Sequence, residues 1–389
     1  MSKLNRRDFI RFSGTTAACG VASRFPLDFT SINKESYTEI QKSVNFIGDG
    51  LELNPMEYSS LLVRLAEEGK IEQDFYSIGG ATEELEHKFA QWLGKESAIF
   101  LPTGTLANHL AIRQLAGEEK KAIVQADSHI YMDTGDCVQR LSGINLIPCA
   151  PGKATVTLEE TKELVDKAAL GLAGATKIGV ISIESPVRRK YEEIFDFDEM
   201  KRISAFARKE GIRLHLDGAR LFCASACTGI LPSQYSALFD TVYISLYKCF
   251  NAGAGAILAG PRIFIESLAH LREMFGGSML HAWQFAAIAH YYVDDFIQEQ
   301  RNALKAADSF FKEMEKNSVF RIEKIPKSAN AFKLHIMEVD LQEFRKKLSE
   351  RNIYLRPPRK DWTGFMMKIN ASLNRNSVEA LARIFVDCL

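Results

Sequence analysis

From Thr82 onward the apolar positions switch between two spacings. Leu85, Phe89 and Trp92-Leu93 fall on one stripe at helical period, with Thr82 placed to cap that helix and Gly94 to stop it. A short apolar run over 97–101 ends at Pro102-Thr103-Gly104 and gives way to a second helical stripe through Leu106, Leu110 and Leu115, as far as Gly117. The same order recurs in 122–125 before Asp127-Ser128-His129, and in 178–183 before Glu184. It recurs again, after a helix that ends at Gly211, in 212–216 before Asp217, and in 241–246 before Tyr247-Lys248. Strands alternating with helices predict an α/β fold, a mostly parallel sheet wrapped by helices on both faces. After about His290 the texture changes to a long helix reaching about Lys316, strand-like runs at 332–336 and 365–369, and a helix over 341–351. This predicts a smaller C-terminal α+β domain.

Composition narrows the class. With 389 residues, 46% of them apolar, the chain can bury about three quarters of its unfolded surface. Lys plus Arg (49) balances Asp plus Glu (49) without a long like-charged run, so the electrostatic footprint for nucleic acid is missing. Only 25 glycines and 11 prolines exclude collagen-like and low-complexity chains. The opening Asn5-Arg6-Arg7-Asp8-Phe9-Ile10-Arg11, followed by Ala17, Ala18, Gly20, Val21 and Ala22, resembles a twin-arginine export signal. It predicts a periplasmic or otherwise exported protein, cytoplasmic if the leader does not function. The segment is short of the roughly 20 apolar residues of a membrane span. Thr16-Ala17-Ala18-Cys19 also resembles a lipoprotein attachment site, weakened by Thr16. The organisation expected is a leader over 1–30, a large cofactor-binding domain over 31–290 and a small domain over 291–389. Seven cysteines without paired spacing imply no disulfide framework. Cys223 and Cys227, four apart on a helix, lack a nearby histidine to complete a zinc set, so core packing is expected there and no metal site anywhere.

In a doubly wound sheet, ligands sit outside the carboxyl ends of the strands, and the polar residues that need explaining all fall there. Thr103, Gly104 and Thr105 lie at a strand-to-helix turn, where free N–H groups and the helix dipole suit a phosphate. Asp217, Lys248 and His129 each follow a strand. Singly, each signal is weak: a lone strand-end lysine is more often a solvated rim charge, and a lone histidine after a strand is usually a structural one. Together, a phosphate cradle, a carboxylate, an amine and an imidazole on one edge are the set that pyridoxal 5'-phosphate requires. Lys248 is the amine for its aldehyde, Asp217 keeps its ring nitrogen protonated, and His129 stacks on its face.

At these residues the sequence resembles the low-specificity L-threonine aldolases and related β-eliminating lyases, of the aspartate-aminotransferase fold. The matching stretches are the run from Gly94 through Leu101-Pro102-Thr103-Gly104-Thr105 to Asn108, then Ser128-His129-Ile130-Tyr131, His215-Leu216-Asp217-Gly218-Ala219-Arg220-Leu221-Phe222 and Ser245-Leu246-Tyr247-Lys248. The resemblance implies Lys248 as the cofactor-bearing lysine, Asp217 on the pyridine nitrogen, His129 on the ring, Gly104 and Thr105 at the phosphate, and Arg220 near cofactor or substrate. It also implies a homodimer or homotetramer whose sites lie at the subunit interface. Tyr76, in Asp74-Phe75-Tyr76-Ser77, falls where the family has a tyrosine; it either reaches a neighbouring subunit's site or anchors its own loop.

Departures from the family pattern matter as much. Its Glu-Asn-Thr-His-Asn run reads Glu184-Ser185-Pro186-Val187-Arg188, so the second histidine is missing. The N-terminal Asp-Leu-Arg-Ser-Asp reads Asn45-Phe46-Ile47-Gly48-Asp49, and the C-terminal carboxylate-binding arginine has no clear counterpart near Lys368. Arg188, Arg356 and Arg359 become candidates to clamp a substrate carboxylate, or are surface charges. The expected reaction is Cα–Cβ cleavage of a β-hydroxy-α-amino acid to glycine and an aldehyde, with His129 or a water as base. The alternatives are another pyridoxal-phosphate reaction (β-elimination, racemisation or transamination) or a non-catalytic exported binding protein of the same fold.

Overall fold

A computed structural model describes residues 43–170, 176–359 and 362–389, all within the compact unit 41–389. The predicted leader, with Arg6, Arg7 and Cys19, lies outside the described residues. The strands in chain order are β1 (Val44–Asn45), β2 (Ser97–Leu101), β3 (Lys121–Gln125), β4 (Asn145–Cys149), β5 (Val180–Glu184), β6 (Arg213–Asp217), β7 (Thr241–Ser245), β8 (Ala256–Gly260), β9 (Phe320–Lys324), β10 (Ala331–Ile336), β11 (Ile353–Tyr354) and β12 (Gly364–Lys368). Seven of them form one sheet in the order β2-β8-β7-β6-β5-β3-β4. β4, β3, β5, β6 and β7 run parallel, and β8 lies antiparallel to both of its neighbours. The mostly parallel α/β sheet is therefore present. β5 and β7 are buried along their whole length, as strands covered by helices on both faces must be.

The two strands of this seven-stranded sheet that the apolar pattern does not announce have physical excuses. β4 carries Pro148 and lies at the sheet's edge, where a missing N–H does no harm. β8, Ala-Ile-Leu-Ala-Gly, is short and poor in β-branched residues. The helix expected to be capped by Thr82 instead spans Gly80–Leu93, following Gly79 at φ 79°, and buries Thr82 in its first turn. Gly94 ends it in the left-handed conformation, as expected.

The single long helix expected between about 290 and 316 is two. Trp283–Val293 and Phe296–Met314 are separated at Asp294-Asp295, where the Asp294 carboxylate accepts from Lys88 Nζ (2.5 Å) and Trp92 Nε1 (3.2 Å). The second of these helices joins two cores. Phe296 and Ile297 pack with the large sheet, whereas Ala303, Ala307, Phe310, Phe311 and Met314 pack against the three-stranded antiparallel sheet β12-β10-β9. That second core also takes in Val44 and Phe46, because β1 pairs in parallel with β11. The segment running on to Asp49 thus starts in the C-terminal core and reaches the rim of the large sheet. Among the described residues no helix is long and apolar enough to cross a membrane.

Candidate active site

Parallel neighbours deliver their carboxyl ends to one edge, and the candidate residues follow from that register. Asp217 ends β6, opposite Tyr243 of β7, and Gly218 N–H bonds to Tyr243 O at 2.9 Å. β7 runs on through Ser245 into the short helix Leu246–Cys249, which carries Lys248. On the other side of β6, Glu184 ends β5 directly opposite Asp217. His129 opens a short helix just beyond β3. The charges of Asp217 and Glu184 act on Lys248, and those of Asp217 and Lys248 act on His129, so the four groups share one site.

Asp217 is buried and held from behind. Asn108 Nδ2 donates to its Oδ2 at 2.6 Å, and Ala219 N–H donates to its Oδ1 at 3.1 Å. Asn108 Oδ1 lies 2.8 Å from His215 Nε2, and His215 Nδ1 lies 2.8 Å from Thr241 Oγ1. Because Asn108 spends its amide on Asp217, its carbonyl must accept. This sets His215 as the Nε2–H tautomer, with Nδ1 accepting from the Thr241 hydroxyl. Burial lowers the His215 pKa to about 4, so the ring is neutral at pH 7. Neither Asn108 nor His215 had been assigned a role from sequence.

Glu184 is a third residue that sequence reasoning passed over. Its carboxylate accepts from the N–H groups of His129 (2.5 Å) and Arg188 (2.9 Å), while the side chain of Gln125 clamps its backbone N–H (2.7 Å) and C=O (3.0 Å). Burial and the charge of Asp217 push its pKa up to about 7, against the pull of those two N–H bonds and of Lys248. The strand-end position that singled out Asp217 applied equally to Glu184. Val187, at the place of the absent histidine, is fully buried.

Thr103 caps the helix Gly104–Ala116 by accepting from Leu106 N–H at 3.2 Å, and Ala107 N–H bonds to Thr103 O. The amides of Gly104 and Thr105 are the other donors of that first turn. Gly104 presses on Tyr243 so closely that a Cβ would meet its hydroxyl at 1.9 Å. Ser245, joined across β8 to the end of β2, has a buried Oγ with no hydrogen bond of good geometry among the described residues, the Tyr243 hydroxyl being its polar neighbour. It stands three residues before Lys248 and is the fourth residue missed, after Asn108, His215 and Glu184.

Burial, and after it the Arg220 charge, lower the Lys248 pKa. Arg220 belongs to a closed ring of buried charges. Its Nε lies 2.6 Å from Asp49 Oδ2 and 3.3 Å from Glu192 Oε2, and Lys368 Nζ completes the ring at 2.6 Å from Glu192 Oε1 and 2.8 Å from Asp49 Oδ1. The carboxylate clamps proposed from sequence lie further out. Arg188 and Arg189 both pair with Asp133 at the rim beside His129, Arg356 donates to Ile47 O (2.7 Å), and Arg359 lies over the Trp362 ring (5.6 Å). Tyr76 is not brought to Lys248 within the chain. It sits at φ 52° on an exposed loop, its N–H on Leu280 O (2.9 Å) and its ring edge-on to Phe75. Cys223 packs as expected, its Sγ 3.7 Å from that of Cys249, but Cys227 is exposed and not a core residue.

Comparison with known proteins agrees with this arrangement. The beta-eliminating lyase family model matches residues 66–338. Low-specificity L-threonine aldolases of Candida albicans and Saccharomyces cerevisiae are 31% and 29% identical over 56% and 59% of this chain, and the chain spans 58% of the length of each. An Exiguobacterium crystal structure, described as an aromatic amino acid beta-eliminating lyase/threonine aldolase, superposes with a TM-score of 0.74 at 25% identity, covering 90% of this chain and 97% of its own. A Listeria monocytogenes structure described as an L-allo-threonine aldolase gives 0.72 at 25% identity, over 90% of this chain and 96% of its own. Strand-end chemistry, topology and sequence match converge, and the chain belongs to the beta-eliminating lyase family.

Proposed function

We propose that this protein is a pyridoxal-phosphate-dependent carbon–carbon lyase, cleaving a β-hydroxy-α-amino acid to glycine and an aldehyde. The observation that carries this is the placement of Lys248 and the buried carboxylate of Asp217 at the carboxyl ends of adjoining parallel strands. The residues fit the cofactor. The Ser245 hydroxyl, which lacks a well-formed hydrogen bond, and the Gly104 and Thr105 amides suit a phosphate, and Asp217, backed by Asn108, suits a cationic ring nitrogen. When bound, the cofactor supplies an aldehyde for the lysine amine and a ring that accepts electrons from the substrate's Cα. The relatives named low-specificity L-threonine aldolases favour the aldol class of substrate.

The chain's own residues then divide the work. Burial beside Arg220 leaves Lys248 more readily as the neutral, nucleophilic amine. Asp217 fixes a proton on the ring nitrogen. His129, its pKa lowered by burial, offers a neutral flat ring as a stacking surface. Glu184, poised to gain or lose a proton near neutrality beside Lys248, takes the acid–base duty that no imidazole at position 187 performs. Loaded protein should show an absorbance band near the visible edge that borohydride bleaches and Lys248→Ala abolishes. Incubation with threonine, allo-threonine and phenylserine should yield glycine and the aldehyde; pyruvate or ammonia instead would overturn the aldol reading.

The proposal includes a homodimer or homotetramer. Phe75, Tyr76, Ile78 and Leu280 are 64%, 47%, 68% and 52% exposed on one pinned loop region, an apolar patch that favours burial against a second copy and delivery of Tyr76 to its site. Sedimentation of Tyr76→Ala and wild type checks this. Export by the twin-arginine route is proposed from the leader: a reporter carrying the first ~30 residues should leave the cytoplasm only while Arg6 and Arg7 are both present.

A further inference from the structure

Of the ring formed by Asp49, Arg220, Glu192 and Lys368, only Arg220 enters the chemistry outlined above, through its charge on Lys248; the other three have no part in it yet lie as a wall against the same lysine. The ring's side chains are only 3% to 7% exposed, and its signs alternate so that the formal charge is zero. Arg220 heads the charges that act on Lys248, and Asp49 acts on it too. Gly50, next to Asp49, lies so near that a Cβ there would come within 2.8 Å of Lys248 O. The wall is therefore fixed against the lysine's own backbone.

Glu192 is the least comfortable member. It adopts φ 62° directly after Tyr191 at φ 55°, the left-handed region that residues with side chains avoid. Its backbone is held there by bonds from its N–H to Val187 O (3.1 Å) and from Ala329 N–H to its C=O (2.9 Å). Its Oε2 is buried with an ion-pair neighbour but no hydrogen bond of good geometry. A strained backbone that carries a charge into the interior, beside a reactive lysine, points to use rather than packing.

An α-amino acid holds its carboxylate two bonds from its amine nitrogen, so a nitrogen that takes the place of Lys248 Nζ brings that carboxylate among the charges that act on the lysine, with Arg220 the foremost. The ring's two cations already have two carboxylates. We infer that Glu192 sets substrate selectivity: it sits where a substrate's α-carboxylate would pair with Arg220 and Lys368, so a free amino acid binds only by displacing it, whereas the corresponding carboxamide meets no such competitor.

The inference rests on Lys248 carrying the cofactor, and the test separates the two claims. Pyridoxal-phosphate-loaded wild type, Glu192→Gln and the double variant Glu192→Gln/Lys368→Gln are titrated with glycine and with glycinamide while the cofactor absorbance is followed. Glu192→Gln leaves one uncompensated positive charge and should tighten glycine about tenfold or more, with glycinamide within about twofold. The double variant is neutral again and should return glycine to within about threefold of wild type. Should Glu192→Gln fold poorly, Glu192→Asp, which withdraws the carboxylate by one carbon, should shift glycine the same way by less. Unchanged glycine affinity, or equal tightening of both ligands, overturns the inference alone. A missing cofactor band in wild type overturns it together with the proposed function.

Discussion

Glu184 and Asp49 are two buried carboxyl groups within charge range of the same lysine, and their surroundings drive them in opposite directions. Burial pushes both upward. At Glu184 only two backbone N–H bonds and the more distant Lys248 resist, Asp217 adds repulsion, and the pKa climbs to about 7. At Asp49 the Arg220 and Lys368 cations, at 2.6 and 2.8 Å, overcome the same desolvation and hold the carboxyl well below its usual range. Burial sets the cost, and the counter-charge decides the protonation state. One side of the site is built to change its proton content and the other to keep its charges.

The largest expected effect breaks the charged side. Arg220→Ala leaves two buried carboxylates sharing one lysine and should cost about 3–5 kcal/mol, read from the urea midpoint. Next, Asp217→Asn removes the counter-charge for the ring nitrogen. Cofactor-dependent turnover should fall by about 100-fold, within the roughly 1–3 units by which an adjacent opposite charge moves a pKa.

Glu184→Gln sharpens the comparison through pH. A carboxyl raised from 4.5 to about 7 on folding is protonated in the native state but ionised in the unfolded state between those values. The unfolded state then binds fewer protons, so stability falls as pH rises through that window and levels off above it. Wild type should lose stability relative to Glu184→Gln between pH 4.5 and 7, with no such loss below; parallel pH profiles would show that Glu184 titrates normally. The smallest effect belongs to Asn108→Ala, which leaves Asp217 and His215 each one hydrogen bond short. It should cost about 1–3 kcal/mol, with weakened cofactor affinity measured by fluorescence quenching.

How much of this could be read from the chain differs between the same two sides. Lys248, Asp217 and His129 were legible because each ends an apolar strand and the topology of parallel strands sends such ends to one edge. Glu184 and Ser245 obey the same rule, but nothing local distinguishes a strand-end carboxyl or hydroxyl with a role from one without. The ring was legible only in part: the family resemblance implies Arg220 near cofactor or substrate and draws attention to Asp49 and Lys368, but nothing in the sequence joins the three to one another or to Glu192. Its members stand at 49, 192, 220 and 368, and only the pairing of β1 with β11, with the second core around it, carries the N-terminal segment to Lys368. Glu192, moreover, carries no local signal that marks it for the site. The break at Asp294-Asp295 escaped for a related reason: helical period continues through it, and only Lys88 and Trp92, about 200 residues earlier, show what the carboxylate does.

The most direct test is chemical. Protein loaded with pyridoxal phosphate is reduced with borohydride, digested and mapped by mass spectrometry. The account predicts a single phosphopyridoxyl adduct on the peptide containing Lys248, lost in Lys248→Ala and weakened in Asp217→Asn. An adduct on a different lysine, or one that survives Lys248→Ala at the same yield, would contradict it.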